Sequence, residues 1–184
     1  ESKAQELNLL KSQIQPHFLF NSLNTIYGQA LTKSDKTPDT ILKLSALLDY
    51  ILYCTQKERV ALRTEIEHIQ EFIELEKIRF EDSLEAQFEY PELSDLRLDV
   101  PPMLFLPFIE NAFKHGKPVD GKLKCSFSLS LEENIIHFKA ENSSGNTGAD
   151  NSGIGLKNLR RRLDLLYGEK YSLNLGFNNE SFLA

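Results

Sequence analysis

Pro16-His17-Phe18-Leu19-Phe20-Asn21 places an imidazole, a nucleophile near neutral pH, within a helical pattern. Leu7, Leu10 and Ile14 recur at alternating three- and four-residue steps, the seam of a helix that packs against other helices. His17 takes the next seam position and Asn21 and Asn24 follow, so the stripe turns polar where the imidazole enters. Far downstream, Asn111, Lys114 and His115 share one face of a helix predicted from Pro101 to Gly116. An amide oxygen beside two groups that can carry positive charge suits a magnesium–phosphate chain, with oxygen for the metal and nitrogen donors for phosphate. A solvated helix face closed by a glycine would read the same way. Further on, Ser152-Gly153-Ile154-Gly155-Leu156 leads into the basic run Lys157-Asn158-Leu159-Arg160-Arg161-Arg162-Leu163. Glycines ahead of a helix N-terminus let backbone N–H groups approach phosphate, although glycine also serves plain turns.

The order of the three blocks is specific where each block alone is not. Over essentially all of its 184 residues the chain resembles the LytS-type sensor histidine kinases. In that family a short dimerising helical pair precedes an ATP-binding domain of the GHKL (Bergerat) type. The stretch from Gln13 to Asn24 resembles the phosphoacceptor box and Glu110 to Gly116 the N box. Gly153-Ile154-Gly155-Leu156, with Asn158, Arg162 and Leu163, resembles the G box. The resemblance implies that ATP binds as its Mg2+ complex, with Asn111 on the metal and Lys114 and His115 on phosphate oxygens. Gly153, Gly155, Leu156 and Asn158 would complete the nucleotide site. His17 would accept the γ-phosphoryl group and pass it to an aspartate of a response regulator, and the match alone offers Glu110 as a proton acceptor. A homodimer is implied as well, as is a place as the cytoplasmic portion of a bacterial inner-membrane protein.

Two places depart from the family pattern, Asn142-Ser143 at a strand end and Asp49 in the second helix. Strand alternation through Phe138 and Ala140 puts Asn142, not Glu141, on the helix-facing side of its sheet. In the family this strand ends with an aspartate that accepts from the adenine amino group; here Asn142 stands in that place and Ser143 replaces the glycine after it. An asparagine oxygen accepts the same bond without charge assistance. Asp49-Tyr50 replaces an arginine–tyrosine pair, and Phe18 stands where many histidine kinases carry an acid. Asn142, Phe18 and Asp49 keep open an alternative reading, a catalytically degenerate dimeric signalling scaffold that binds a partner protein.

The elements that must position these residues follow from the apolar period, which changes along the chain. Helical spacing dominates the first half: one helix is expected from about Ala4 to Thr32, loosened near Pro16. A turn over Ser34 to Asp39 follows, with Asp39 as a cap. A second helix, striped by Ile41, Leu44, Leu47, Leu48, Ile51 and Leu52, breaks near Arg59 to Leu62 and resumes through Ile66, Ile69, Phe72, Ile73 and Glu76. Stripes that wide need a four-helix bundle made by two chains. Period-two alternation governs the second half, clearest at Leu123, Cys125, Phe127, Leu129 and Leu131, with a tight turn at Glu133-Asn134. Earlier strands are expected at Leu84 to Phe88 and Leu96 to Val100, and a later one at Tyr171 to Phe177. Helices near Pro102 to His115 and Leu156 to Tyr167 would cover one face of a mixed sheet. The fold class is therefore α+β, an N-terminal dimerising helical hairpin (1–82) followed by an α/β sandwich of GHKL type (83–184). The polar stretch Ser143 to Ser152 should form a lid over the nucleotide.

Composition agrees with a signalling fragment. A net charge of -6 argues against a nucleic-acid surface, despite the local basic patch at Arg160 to Arg162. Cys54 and Cys125 lie far apart in different elements, which suits a reducing compartment. The longest apolar run, Val100 to Ile109, is too short and too rich in proline to span a bilayer. The chain opens at Glu1 inside a helical pattern and its only methionine is Met103, so an upstream portion is expected. By the resemblance, that missing portion would hold the sensor and supply any membrane link.

Overall fold

The computed structural model describes residues 16–90, 98–143, 154–178 and 181–183. They form two compact units: residues 16–84 with 98–105, and residues 85–90 with those from 106 onward. Both helices and sheet are present, as an α+β chain requires.

The helical unit contains α1 (Pro16–Leu31), α2 (Thr37–Asp49) and α3 (Leu62–Phe80), each of which packs against the other two. Residues 1–15, including Leu7, Leu10 and Ile14, lie outside the described residues. Within α1 the buried positions are Phe18 and Ser22, one turn apart, while Asn24 on the expected seam is exposed. The reason is Phe18, whose ring stacks on Phe72 of α3 at 4.6 Å between centroids. An aromatic ring recovers far more transfer free energy from burial than an amide does. Lys33 (φ 53) closes α1, and α2 begins at Thr37 rather than near Thr40. Pro38 sits in the first turn, where its missing donor costs nothing, so Asp39 lies inside the helix instead of capping it.

After Asp49 the helix widens into a π-helical turn, Tyr50–Cys54. The expected break then proves to be a strand: β1 (Val60–Ala61) pairs antiparallel with β3 (Asp99–Val100), Val60 facing Val100. In α3 the apolar stripe of Leu62, Ile66, Ile69, Phe72, Ile73 and Leu75 is buried, and so are Glu65, His68 and Glu76. Glu76 pairs with Arg79, whose guanidinium lies over the Phe80 ring. Burial pushes the Glu76 carboxyl up to about 7, against the opposing pull of the Arg79 charge.

The sheet unit runs in the spatial order β2-β4-β5-β7-β6, with β2 at Leu84–Glu89, β4 at Leu123–Glu132, β5 at Ile135–Ser143, β6 at Gly176–Asn178 and β7 at Ser181–Leu183. Leu123, Cys125, Phe127 and Leu129 alternate into the core as their spacing predicts, and Glu133 and Asn134 make the tight turn with φ of 50 and 64. Pairing Cys125 with Asn142 and Phe127 with Ala140 fixes the β4–β5 register. The later strand is shorter than expected: Tyr171 to Leu175 is irregular, and β7, which the spacing did not announce, lies between β5 and β6. Helix α4 (Leu106–His115) and helix α5 (Ile154–Tyr167) pack together, and α4 lies on β4 and β5. Gly168 (φ 59) stops α5, donating its N–H to Asp164 O. No helix among the described residues is long and apolar enough to cross a membrane.

Truncating Phe18 to alanine should leave a cavity against Phe72 and lower the stability of the helical unit by about 3 kcal/mol. Urea unfolding followed by far-ultraviolet circular dichroism checks this, and a loss below about 0.5 kcal/mol would contradict the buried placement of the ring.

Candidate functional site

Helix α4 starts at Leu106, not Pro101, because Pro101 to Phe105 form a turn with Met103 in the left-handed region (φ 56). From there Leu106, Phe108, Ile109, Ala112 and Phe113 are buried, with Phe108 tilted against Phe138 and Phe113 edge-on to Phe127. Those ring contacts set the rotation of the helix. Asn111, half-buried, and the exposed Lys114 and His115 consequently lie off its buried stripe. Desolvation, and then the neighbouring Lys114 charge, lower the His115 pKa. His115 is therefore a neutral imidazole at pH 7, and Lys114 is the cation of the pair. Glu110 is half-buried on the same helix.

The end of α4 is stitched to the end of β5. Lys117 donates its N–H to Ser143 O at 2.8 Å, and Ser143 Oγ donates to Lys117 O at 2.8 Å while accepting from Lys124 N–H at 3.1 Å. Between them Gly116 sits so tightly that a Cβ there would stand 2.3 Å from Leu123 Cδ1, 2.7 Å from Ala112 O and 3.3 Å from Asn142 Nδ2. The glycine is required by space. In the sequence Gly116 reads as an ordinary helix cap and Ser143 as a replaced glycine. Nothing in the pattern of residues marks either as a clasp.

That clasp holds Asn142 beside the last turn of α4. Asn142 is 2 % exposed and on the buried face of β5 with Ala140, whereas Glu141 is half-buried and paired with Lys139 at 3.0 Å. Its Nδ2 donates to Ser143 O at 3.2 Å, which fixes the amide orientation and leaves Oδ1 as the acceptor end. A buried amide oxygen next to a polar helix face is equipped to accept from an exocyclic amino group. In α5, Asn158 is half-buried and Lys157, Arg160 and Arg161 are exposed, but Arg162 is buried with Leu159 and Leu163. The basic patch expected at Arg160 to Arg162 is thus smaller than the sequence suggests, because helical rotation turns Arg162 inward. Gly155 and Leu156 fall in the first turn of α5. Gly153 and the expected lid from Ser144 to Ser152 lie outside the described residues.

His17 belongs to the helical unit, in the first described turn of α1, directly before the buried Phe18. Of the other histidines, His68 is buried and stacked on Tyr50 at 3.8 Å, and burial lowers its pKa to about 4. It is a core group out of reach of a substrate. His137 is exposed on the outer face of β5. Among the described residues no cluster of three or more His, Cys, Asp or Glu side chains could hold a metal ion. A single amide oxygen such as that of Asn111 suits Mg2+, which keeps several waters and takes further oxygens from a phosphate chain.

The histidine kinase family matches residues 5–84. The chain is 32% identical to the sensor histidine kinase YpdA of Escherichia coli K12, over 89% of this chain and 31% of that protein. It is 30% identical to the E. coli K12 sensor histidine kinase BtsS, over 96% of this chain and 32% of that one. The sensor protein LytS of Streptococcus agalactiae is likewise 30% identical, over 89% of this chain and 30% of LytS. The chain thus spans about a third of the length of the curated relatives it matches. A solved bacterial phosphotransferase shares the fold with a TM-score of 0.52, covering 98% of this chain and 95% of its own, at 12% identity.

Gly116→Ala should destabilise the sheet unit by about 1–3 kcal/mol, because a methyl group meets the fixed Ala112 carbonyl as well as Leu123. Thermal unfolding of the variant against the parent chain measures it, and an unchanged melting temperature would show that the clasp can relax.

Proposed function

We propose that this chain, which belongs to the LytS-type sensor histidine kinases, is a kinase core that binds Mg-ATP and phosphorylates itself on His17. The observation that supports this best is Asn142. Its buried, oriented amide is clasped against the helix that carries Asn111, Lys114 and His115. Adenine would donate its amino group to Asn142 Oδ1. Asn111 would hold Mg2+, which supplies charge neutralisation along the phosphates when bound. Lys114 would pair with phosphate oxygens as a cation and His115 through a neutral N–H. Backbone N–H groups at Gly153, Gly155 and Leu156, with Asn158, would complete the phosphate cradle at the start of α5.

In the transfer, a lone pair on an imidazole nitrogen of His17 forms a bond to the γ-phosphorus. The bond from that phosphorus to the bridging oxygen breaks, and ADP leaves with the electron pair. The other ring nitrogen sheds its proton, for which Glu110 is the candidate acceptor. Positioning and charge neutralisation supply most of the rate. An aspartate of a response regulator would then take the phosphoryl group, completing a two-component relay. Upstream segments would connect this core to the inner membrane, leaving the kinase portion in the cytoplasm.

The helical unit is proposed to act as a homodimer that closes a four-helix bundle. Phe20, Leu23, Tyr27 and Leu31 form an exposed apolar stripe along α1, joined by Ile41, Leu42, Leu52 and Tyr53 on or just after α2. Such a stripe is ordinarily covered. It replaces Leu44, which sequence reasoning offered to the partner but which is buried within the chain itself.

With labelled ATP, the parent chain should acquire acid-labile, base-stable phosphate. His17→Gln should abolish it with ATP affinity nearly unchanged, and labelling that persists would sink the assignment. Asn111→Ala should remove the Mg2+ dependence of ATP binding. Asn142→Ala should weaken ATP and ADP about fivefold with GTP little affected, since one hydrogen bond of about 1 kcal/mol is lost, while Glu141→Ala changes little. Calorimetry showing the reverse order for Asn142 and Glu141 would move the adenine contact elsewhere. In sedimentation, Leu23→Glu combined with Leu31→Glu should turn a dimer into a monomer, and a parent chain that is already monomeric would refute the bundle.

A further inference from the structure

Glu65, in the first turn of α3, is 0% exposed. Its Oε1 accepts from the Tyr50 hydroxyl at 2.6 Å and from Met103 N–H at 2.8 Å, and its Oε2 accepts from Leu104 N–H at 2.9 Å. The same Tyr50 oxygen also lies 3.3 Å from Met103 N–H. A side chain from α3 and one from the end of α2 therefore grip two successive amides of the turn that precedes α4. The grip holds Met103 at φ 56, a conformation that a methionine keeps only where its surroundings over-determine it. Prolines 101 and 102 ahead of the turn and Phe105 after it are buried, so the segment has little freedom to relax. Leu106, the next residue, begins the helix that carries Asn111, Lys114 and His115.

Tyr50 is itself placed in an unusual way. It opens the π-helical turn Tyr50–Cys54, and its ring is stacked on His68. Stacking fixes the plane of the ring, and the hydroxyl bond fixes where its tip lies. A one-residue change of register in that turn would rotate Tyr50 by about 100° around the helix axis and take the hydroxyl off Glu65.

We propose that Tyr50 and Glu65 are positioning residues for phosphoryl transfer: they fix the turn from which α4 starts, so that transfer to His17, but not nucleotide binding, depends on their bond. This rests on the kinase reading given above. Asn111, Lys114, His115 and Asn142 all belong to the sheet unit, and Tyr50, Glu65, Met103 and Leu104 to the helical unit. Binding should therefore survive loss of the grip while the rate does not.

The experiment compares the full chain with Tyr50→Phe, which removes only the hydroxyl, and Glu65→Gln, which sets an amide donor against donors. Autophosphorylation kinetics, affinity for a fluorescent ATP analogue, melting temperature and amide exchange are measured on each. At saturating ATP, kcat should fall about threefold in Tyr50→Phe and at least tenfold in Glu65→Gln, with KM and analogue affinity within twofold of the parent. Exchange should accelerate at Glu110 to Ala112, whose acceptors are the first-turn carbonyls of α4. Should Glu65→Gln unfold, Tyr50→Phe carries the decision alone. Equal losses in kcat and affinity, or no change in either, would overturn the proposal. If the parent chain itself takes no label, the kinase reading fails, and amide exchange then decides for the grip. Acceleration that reaches α4 supports it, and acceleration confined to Met103 and Leu104 overturns it.

Discussion

A carboxylate taken wholly out of water is the constraint on which the helical unit turns. Desolvating Glu65 is costly, and the Tyr50 hydroxyl and the Met103 and Leu104 amides help offset it. The pair shows its coupling in the phenol: burial, and then the Glu65 charge, push the Tyr50 pKa upward, so the proton stays on oxygen as the donor. Because two of the three donors are backbone groups some forty residues away in sequence, the carboxylate draws a returning segment into the helices. Around it the return is secured by the β1–β3 pair and by Leu62 N–H on Leu98 O at 2.7 Å. The helical unit is thus a hairpin plus a strap. Removing one partner would leave a buried charge uncompensated, which is far more disruptive than replacing the whole cluster with apolar side chains.

The sheet unit depends on a smaller device of the same kind. Ser143 uses its carbonyl and hydroxyl together to close the α4–β5 corner, and Gly116 allows the approach. This clasp explains how a neutral residue can serve at the strand end. With Nδ2 tied to Ser143 O, Asn142 offers its oxygen without needing a charge to orient it. An aspartate in the same place would set a carboxylate oxygen against the Ser143 carbonyl. An acid at position 142 would therefore leave two acceptors facing, whereas the carbonyl that holds the amide belongs to the backbone of residue 143.

What the sequence made legible were features written in period. Alternation announced β4, β5 and the inward side of Asn142, and the 3.6-residue stripe announced α3 and the buried face of α4. Features made by long-range pairing were not legible. Glu65 reads as a surface residue between Thr64 and Ile66, because its partners lie at Tyr50 and Met103. The helix start at Leu106 was hidden for the same reason, since the turn before it is held by that carboxylate rather than by local residues. β1 and β7 are two or three residues long and exist only through their partners. The inward side of Asn142 was legible by counting, but the clasp that orients its amide has no signature in one sequence.

The environment of the imidazoles carries the chemical argument further. Phe18 cannot be read as an acid lost from a catalytic pair, since its ring is part of the α1–α3 core against Phe72. A carboxylate at that position would be buried without donors, so the fold itself excludes a base directly after His17. The proposed nucleophile would then attack without a base beside it in sequence, as a neutral imidazole can near pH 7. Partial desolvation and the Lys114 charge beside it lower the His115 pKa as well. A neutral His115 would give Lys114 the whole burden of cationic contact on α4. Lys114 also lies in the last turn of its helix, where positive charge is favoured by the helix dipole. A phosphate bound there would compete with that dipole for the ammonium. Tight placement of the γ-phosphoryl group would consequently depend on Mg2+ and on the α5 N-terminus as much as on the lysine.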